Sequence, residues 1–329
     1  MTSFRLLSGL LTAAVLFSAA PVLSQPAGEW PARAVKVVVT FPPGGSADIT
    51  ARVFGEKLAE AWKQPVVIEN RTGAGGSIGV ESVHRSAPDG YTLLLMSNTH
   101  LINHVLFRKL SFDITTEFPS LGIVTASPMM IAVHPSVAAR NMKELTALFK
   151  ASPGKLDYGS CNVASPHHFA MEMYKRALGI DAVHVPHRGC GPLSADAAAG
   201  HVKVIATNAA TALPFVKDGR LRALALLSTS RSASVPDMPT LRESGIEELK
   251  DFALDNYYGF MASPGTPAGI VARIDADIRR VAQNPELRKR LEQAGFDMFV
   301  LSSAEMQKLI SADAERYGQI ARRAGISIE

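Results

Sequence analysis

Nine histidines and two cysteines hold most of the reactive chemistry this chain could offer, as metal ligands, bases or nucleophiles. His167, His168, His184 and His187 lie in the same third of the chain as Cys161 and Cys190, which makes a metal site conceivable. Their order and spacing match no regular Cys/His pattern, however, and oxidation competes for the thiols, so no metal is expected. The usual signatures of catalysis are absent or broken. There is no His-Glu-x-x-His and no Gly-Lys-Ser/Thr phosphate loop. Ser152-Pro-Gly-Lys155 has Ser-x-x-Lys spacing, but Pro-Gly at its centre makes it a turn. Gly73-Ala-Gly-Gly-Ser-Ile-Gly79 imitates a dinucleotide fingerprint with its last glycine one position late, so no cofactor is expected.

What remains is a pair of loops suited to anions. Gly44-Gly45-Ser46 sits between the carboxyl end of a predicted strand and the start of a predicted helix. Unpaired N–H groups and the helix dipole favour a carboxylate there. Glycines let a ligand approach the backbone, and Ser46 adds a hydroxyl donor. Taken alone, such a loop is more often an ordinary tight turn. A second one, Ser160-Cys-Asn-Val-Ala-Ser165 before Pro166-His-His168, occupies the same place in a later strand–helix unit. Two facing cradles suit a ligand with a carboxylate at one or both ends, held outside the carboxyl ends of open α/β sheets.

The elements that must position these loops follow from periodicity. Residues 35–40 hold four valines and a threonine, a strand pattern. A helix from about Ala47 places Ala51, Phe54, Leu58 and Ala61 on one face. Residues 65–69 and 91–96 read as further strands, and the alternation predicts a mostly parallel sheet. The same order resumes at 157–160, with strands at 182–186, 202–207 and 221–227. Two extended stretches, 121–133 and 252–261, could cross between two lobes, as a length of 329 residues suggests. The end of the chain is helical. Ile270, Ile274, Ile278 and Val281 line one face, Asn284-Pro285 restarts a helix that Gly295 ends, and Ser302-Ser-Ala-Glu305 reads as a capping box.

Composition narrows the function class. Apolar residues make up 47% and charged residues 19%, as in a globular chain. The net charge is only +4 and its basic residues are scattered, so nothing is built to displace counterions from nucleic acid. Arg5, an apolar stretch at 6–20 and small residues before Gln25 form the layout of a secretory signal peptide over residues 1–24. The stretch is shorter than the roughly 20 residues a bilayer span needs. The mature chain is expected to be exported, and in an oxidising compartment its two thiols can form one bridge.

Several motifs together resemble the Bug-type periplasmic solute-binding proteins of tripartite tricarboxylate transporters. They are Phe41-Pro-Pro-Gly-Gly-Ser-Ala-Asp-Ile-Thr-Ala-Arg52, Val67-Ile-Glu-Asn-Arg-Thr-Gly-Ala-Gly-Gly-Ser-Ile-Gly79, Pro88-Asp-Gly-Tyr-Thr-Leu93, His184-Val-Pro-His-Arg-Gly189, Gly219-Arg-Leu-Arg-Ala-Leu224, Pro236-Asp-Met-Pro-Thr240 and Ser263-Pro-Gly-Thr-Pro267. The resemblance runs from about residue 34 to the C-terminus. It implies an α/β, two-lobed periplasmic binding fold (type II, Venus-flytrap) with hinge strands and C-terminal helices. Domain 1 would be discontinuous, 31–127 and 255–329, around domain 2 at 128–254. The implied function is binding of a small carboxylate in the cleft and its delivery to membrane transporter subunits by a monomeric, non-catalytic receptor. The implied ligand contacts are Phe41, Gly44, Gly45, Ser46, Asp48 and Asn98 in the first lobe, and Ser160, Ser165, His168 and Asn208 in the second. Asp48 could equally cap its helix or meet an amino group. The chain departs from the family at Asn162 and Ala164, where glycines are usual, and at His187-Arg188, where Tyr-Lys is usual.

Cys161 and Cys190 each follow the carboxyl end of a predicted strand of one lobe. If those strands are neighbours, ~4.8 Å apart, the Cα separation of roughly 4.4–6.8 Å that a bridge needs is attainable. An oxidising compartment favours the bridge; the alternative is two buried thiols. Two other functions stay open: a secreted hydrolase or lyase using a cleft His/Ser pair, and a binding protein that serves a sensor.

Overall fold

The computed structural model describes residues 30–106, 110–228, 230–252 and 254–324. The expected leader, residues 1–24, lies outside them. Two sheets organise the chain. The first begins β1 (Val35–Val39), α1 (Ser46–Trp62), β2 (Val66–Asn70), α2 (Ser77–His84), β3 (Thr92–Ser97), α3 (Asn98–Leu106) and β4 (Ser120–Ala126). The chain then enters the second sheet with β5 (Met129–Val133), α4 (Met142–Ala151), β6 (Tyr158–Ser160), α5 (Pro166–Leu178), β7 (His184–Pro186), α6 (Cys190–Ala198), β8 (Val204–Asn208), α7 (Ala209–Lys217) and β9 (Arg222–Leu226). It returns through β10 (Tyr257–Ala262), α8 (Ala268–Ala282), α9 (Pro285–Gln293), β11 (Asp297–Leu301) and α10 (Ser303–Ala324).

Strand order is β11-β4-β10-β3-β1-β2 in the first sheet and β7-β6-β8-β5-β9 in the second. The expectation of mostly parallel sheets is corrected. β1 pairs in parallel with β2 and β3, but β10 runs antiparallel between β3 and β4, and β11 is antiparallel to β4. In the second sheet, β6 is parallel to β7 and β8, whereas β5 is antiparallel to β8 and β9. The antiparallel members are largely the strands by which the chain leaves one sheet and returns, so they are fixed by topology rather than by the repeating strand–helix unit. β4 and β5 occupy one predicted extended stretch yet belong to different sheets. β11, a half-exposed edge strand, carries too weak an alternation to stand out in the sequence.

Side-chain period builds the layers. Val35, Val37 and Val39 pack with Phe54 and Leu58 of α1, Ile274 and Ile278 of α8, and Leu287 and Leu291 of α9. Val38, Leu94 and Met96 belong to the core of the opposite face, with Val80, Val83, Leu101, Met306 and Ile310. Each fully buried side chain of this size contributes about 1.5–3 kcal/mol. The α1 face ends differently from expectation: Ala61 is exposed and Trp62 is buried. The Trp62 ring meets Trp30 edge-on at 5.1 Å, and its indole N–H donates to Asp277. The expected caps are present. Asn284 accepts from Leu287 N–H, and Ser302 and Glu305 bond each other's backbone N–H groups.

Candidate ligand-binding site

The carboxyl ends of β1, β3, β6, β7 and β8 converge with β10 on a cavity of about 40 Å³, space for a few water-sized groups. Five helices begin at its wall. α1 contributes Gly45, Ser46 and Ala47, α3 Ser97 and Thr99, α5 Ser165 and His167, α6 Gly189, Cys190 and Gly191, and α7 Asn208. No side chain caps α1, α6 or α7. The positive end of each helix therefore faces the cavity, as an anion requires. Among the described residues, no Lys, Arg, Asp or Glu lines it. The site attracts anions through backbone dipoles, not side-chain charge.

Asn208, only 2% exposed, is the hub. Its amide donates to Ser46 Oγ and Tyr258 Oη, both at 3.1 Å. Its Oδ1 accepts from Asn256 Nδ2 at 3.0 Å and lies 2.8 Å from His167 Nε2. All four hydrogen-bonding positions of the amide are filled, and they tie α1, β10 and α5 together. Burial pushes the His167 imidazole down to about 4, so it is neutral near pH 7. The walls also close directly on each other. A Cβ on Gly189, at φ +125°, would stand 3.3 Å from the ring of Pro42. Glycine suits both the backbone angle and the approach.

Of the residues expected to touch a ligand, Phe41, Gly45, Ser46, Ser165 and Asn208 line the cavity. Gly44, Asp48, Asn98, Ser160 and His168 stand behind it. Asp48 accepts from Gly44 N–H, Arg52 Nε and Asn70 Nδ2, each at 2.9 Å. Burial raises the Asp48 carboxyl, but the bonds from Arg52, Gly44 and Asn70 more than reverse this and hold it below its usual value. Gly44 thus directs its N–H into the loop. Asn98 Nδ2 donates to Asp255 O and Tyr317 Oη. Ser160 Oγ donates to Asn162 O and lies 2.7 Å from His184 Nε2. His168 accepts from Ala164 N–H and stacks on His184, ring centroids 4.1 Å apart. Burial, reinforced by His168, pushes His184 down to about 3. The sequence reading missed His167, Ser97, Thr99, Asn256 and Tyr258. A signal existed for Ser97, the polar end of an apolar strand, but none for Tyr258, whose role needs the returning strand.

Cys161 and Cys190 form a disulfide with Cα atoms 4.4 Å apart, joining the loop before α5 to the start of α6. With His167 they make a group of metal-ligating types whose donor atoms lie within 4.8 Å of one another, but the bridge engages both sulfurs, leaving only the imidazole. The glycine run at 73–79 serves packing. A Cβ at Gly79 would meet Arg71 O at 2.7 Å and Thr40 Cγ2 at 2.8 Å.

Two α/β sheets, joined by crossing strands and enclosing a cavity walled by helix N-termini, define a two-lobed solute-binding protein. Residues 50–326 match the TctC family, described as the tripartite tricarboxylate transporter family receptor, and the chain belongs to that family. Among solved structures it is similar to the periplasmic binding protein BugD, with TM-score 0.85 and 27% identity over 91% of this chain and 100% of that one. Rpa4515 of R. palustris with adipate gives 0.86 and 27% over 91% and 99%. MatC of Rhodopseudomonas palustris with bound malate gives 0.80 and 27% over 88% and 99%.

Proposed function

We propose that this protein is a periplasmic receptor that closes over one small carboxylate and passes it to the membrane subunits of a tripartite transporter. The observation that carries the reading is the convergence of five helix N-termini on a cavity without charged side chains. Family membership and relatives holding adipate and malate support it. Among the described residues no helix is long and apolar enough to cross a membrane; the leader at 1–24 exports the receptor. The first lobe is 31–127 with 255–329 and the second 128–254; the receptor acts as a monomer.

Binding without turnover is also favoured by the histidines. The Ser160–His184 pair has nucleophile–base geometry, yet neither residue lines the cavity. The cavity histidine, His167, is engaged with an amide rather than a hydroxyl. A thermal-shift screen of small mono-, di- and tricarboxylates tests the reading, since a ligand that binds only the folded state raises the melting temperature. The expected result is a rise with at least one acid and one molecule bound per chain. No rise with any, or conversion of the acid to product, overturns it.

A further inference from the structure

Reduction of the Cys161–Cys190 bridge returns two thiols to a cavity wall that already holds an imidazole. The two sulfurs and a ring nitrogen of His167 all lie within 4.8 Å of one another. Cys190 Sγ is 3.7 Å from His167 Nε2. Donors around a tetrahedral zinc ion, with bonds of about 2.3 Å to sulfur and about 2.0 Å to nitrogen, stand roughly 3.5–3.8 Å apart. The sulfur–nitrogen edge therefore has its spacing before any metal arrives. Rotation about the Cα–Cβ bonds of the freed cysteines opens the sulfur–sulfur edge. Asn208 Oδ1, 2.8 Å from Nε2, is placed to supply a fourth donor.

The surroundings suit thiolates. Cys190 is the first residue of α6, whose N-terminus has no side-chain cap, so the helix dipole favours an ionised sulfur. Thr207 Oγ1 lies 3.9 Å from Cys161 Sγ, a hydroxyl donor behind the second sulfur. We propose that Cys161, His167 and Cys190 form a reduction-gated site for one thiophilic divalent cation, with zinc as the fitting ion. Two sulfurs and an imidazole favour zinc over the hard, oxygen-seeking magnesium and calcium ions. A dithiol gives two electrons and two protons to the bridge and itself becomes a disulfide. The cation then displaces the two thiol protons, and the two thiolates cancel its charge. Loading moves the ring proton of His167 from Nε2 to Nδ1, which has no protein partner to lose. The inference goes beyond the carboxylate reading and does not depend on it, because that reading is tested on the oxidised chain.

Metal titration of the purified full chain in both redox states tests the proposal. The chain is reduced with dithiothreitol, freed of it by anaerobic desalting, and titrated with zinc, with cobalt(II) as the spectroscopic probe. The reduced chain is expected to bind one zinc ion with release of thiol protons. Cobalt(II) should give sulfur-to-metal charge-transfer bands and the d–d bands of a tetrahedral site. The oxidised chain should bind neither ion there, and magnesium should not compete. His167→Ala, or His167→Gln where the first does not fold, should weaken zinc binding at least about tenfold. His201→Ala, on an exposed ring, should leave it unchanged. Circular dichroism and melting curves show which reduced chains are folded. Equal zinc binding by the oxidised and reduced chains overturns the assignment, as does zinc binding indifferent to His167. A folded reduced chain that takes up no zinc also overturns it. So does a reduced chain that loses its fold, because the three ligands are then no longer held together.

Discussion

Asp48 shows how a residue can matter to a site without touching its contents. It stands at the third position of α1, and its carboxylate gathers Gly44 N–H, Arg52 and Asn70 behind the first cradle. Asp48→Ala removes three partners from a carboxylate whose side chain is 4% exposed, and is expected to cost about 2–3 kcal/mol. The sign of the pH dependence follows from the lowered carboxyl. Its stabilisation is present above the ordinary value of 3.8 and is lost as pH falls through the lower value of the folded state. Denaturation of wild type and variant from pH 6 down to pH 2.5 should show a stability gap that narrows below about pH 4. A gap that holds constant would mean the carboxylate is not ionised in its role. At this same scale Ala164 adopts φ +59°, the left-handed region that favours glycine.

Between elements, the disulfide is the principal tether. Residues 161 and 190, 29 positions apart, tie the loop before α5 to the start of α6, and both sulfurs' residues line the cavity. Closing a loop of that length is worth about 3–4 kcal/mol against the unfolded chain. Replacing both cysteines by serine should lower stability by that order and weaken carboxylate binding, because two cavity loops must then be ordered by the ligand itself. Equal melting temperatures for the two proteins would show that the contacts of α5 and α6 suffice to hold the loops. The bridge also explains why the histidines and cysteines of this region form no regular ligand pattern: their spacing serves a crosslink and a stacked His168–His184 pair.

Across the whole molecule, two crossings join the sheets, between β4 and β5 and before β10, and Ser127 N–H donates to Asn256 O where they run together. Bending at this seam would open the cleft. Contact across it is made by Ser46–Asn208 and by Pro42 on Gly189, while α10 reaches towards both lobes, Tyr317 meeting Asn98 on one side and Phe169 on the other. X-ray scattering should therefore give a smaller radius of gyration when a bound carboxylate holds the lobes together. Asn208→Ala, which removes four hydrogen bonds, should reduce that compaction and weaken binding about tenfold or more. A radius that does not respond to a carboxylate shown to bind would eliminate hinge closure.

Much of this was legible along the chain. β-branched runs, capping residues and the Gly-Gly-Ser and Ser-rich loops marked the strand ends, because short-range sterics and hydrogen bonding decide them within a few residues. The positions of Gly45, Ser46 and Ser165 at the cavity follow from those ends, whereas Phe41 and Asn208 were indicated by the family resemblance. What only the tertiary structure decided was the direction of each polar group. His167 and His168 are adjacent, but a helix turns about 100° per residue, so one ring meets the cavity and the other stacks on His184 of the edge strand β7. Asp48, Asn98 and Ser160 turned inward for partners supplied by other segments, Asn98 by Tyr317, 219 positions away. Ser46 and Asn208 meet across 162 positions. Local spacing carries no record of such pairings, since they arise only when burial brings distant donors and acceptors together and leaves water unable to replace them.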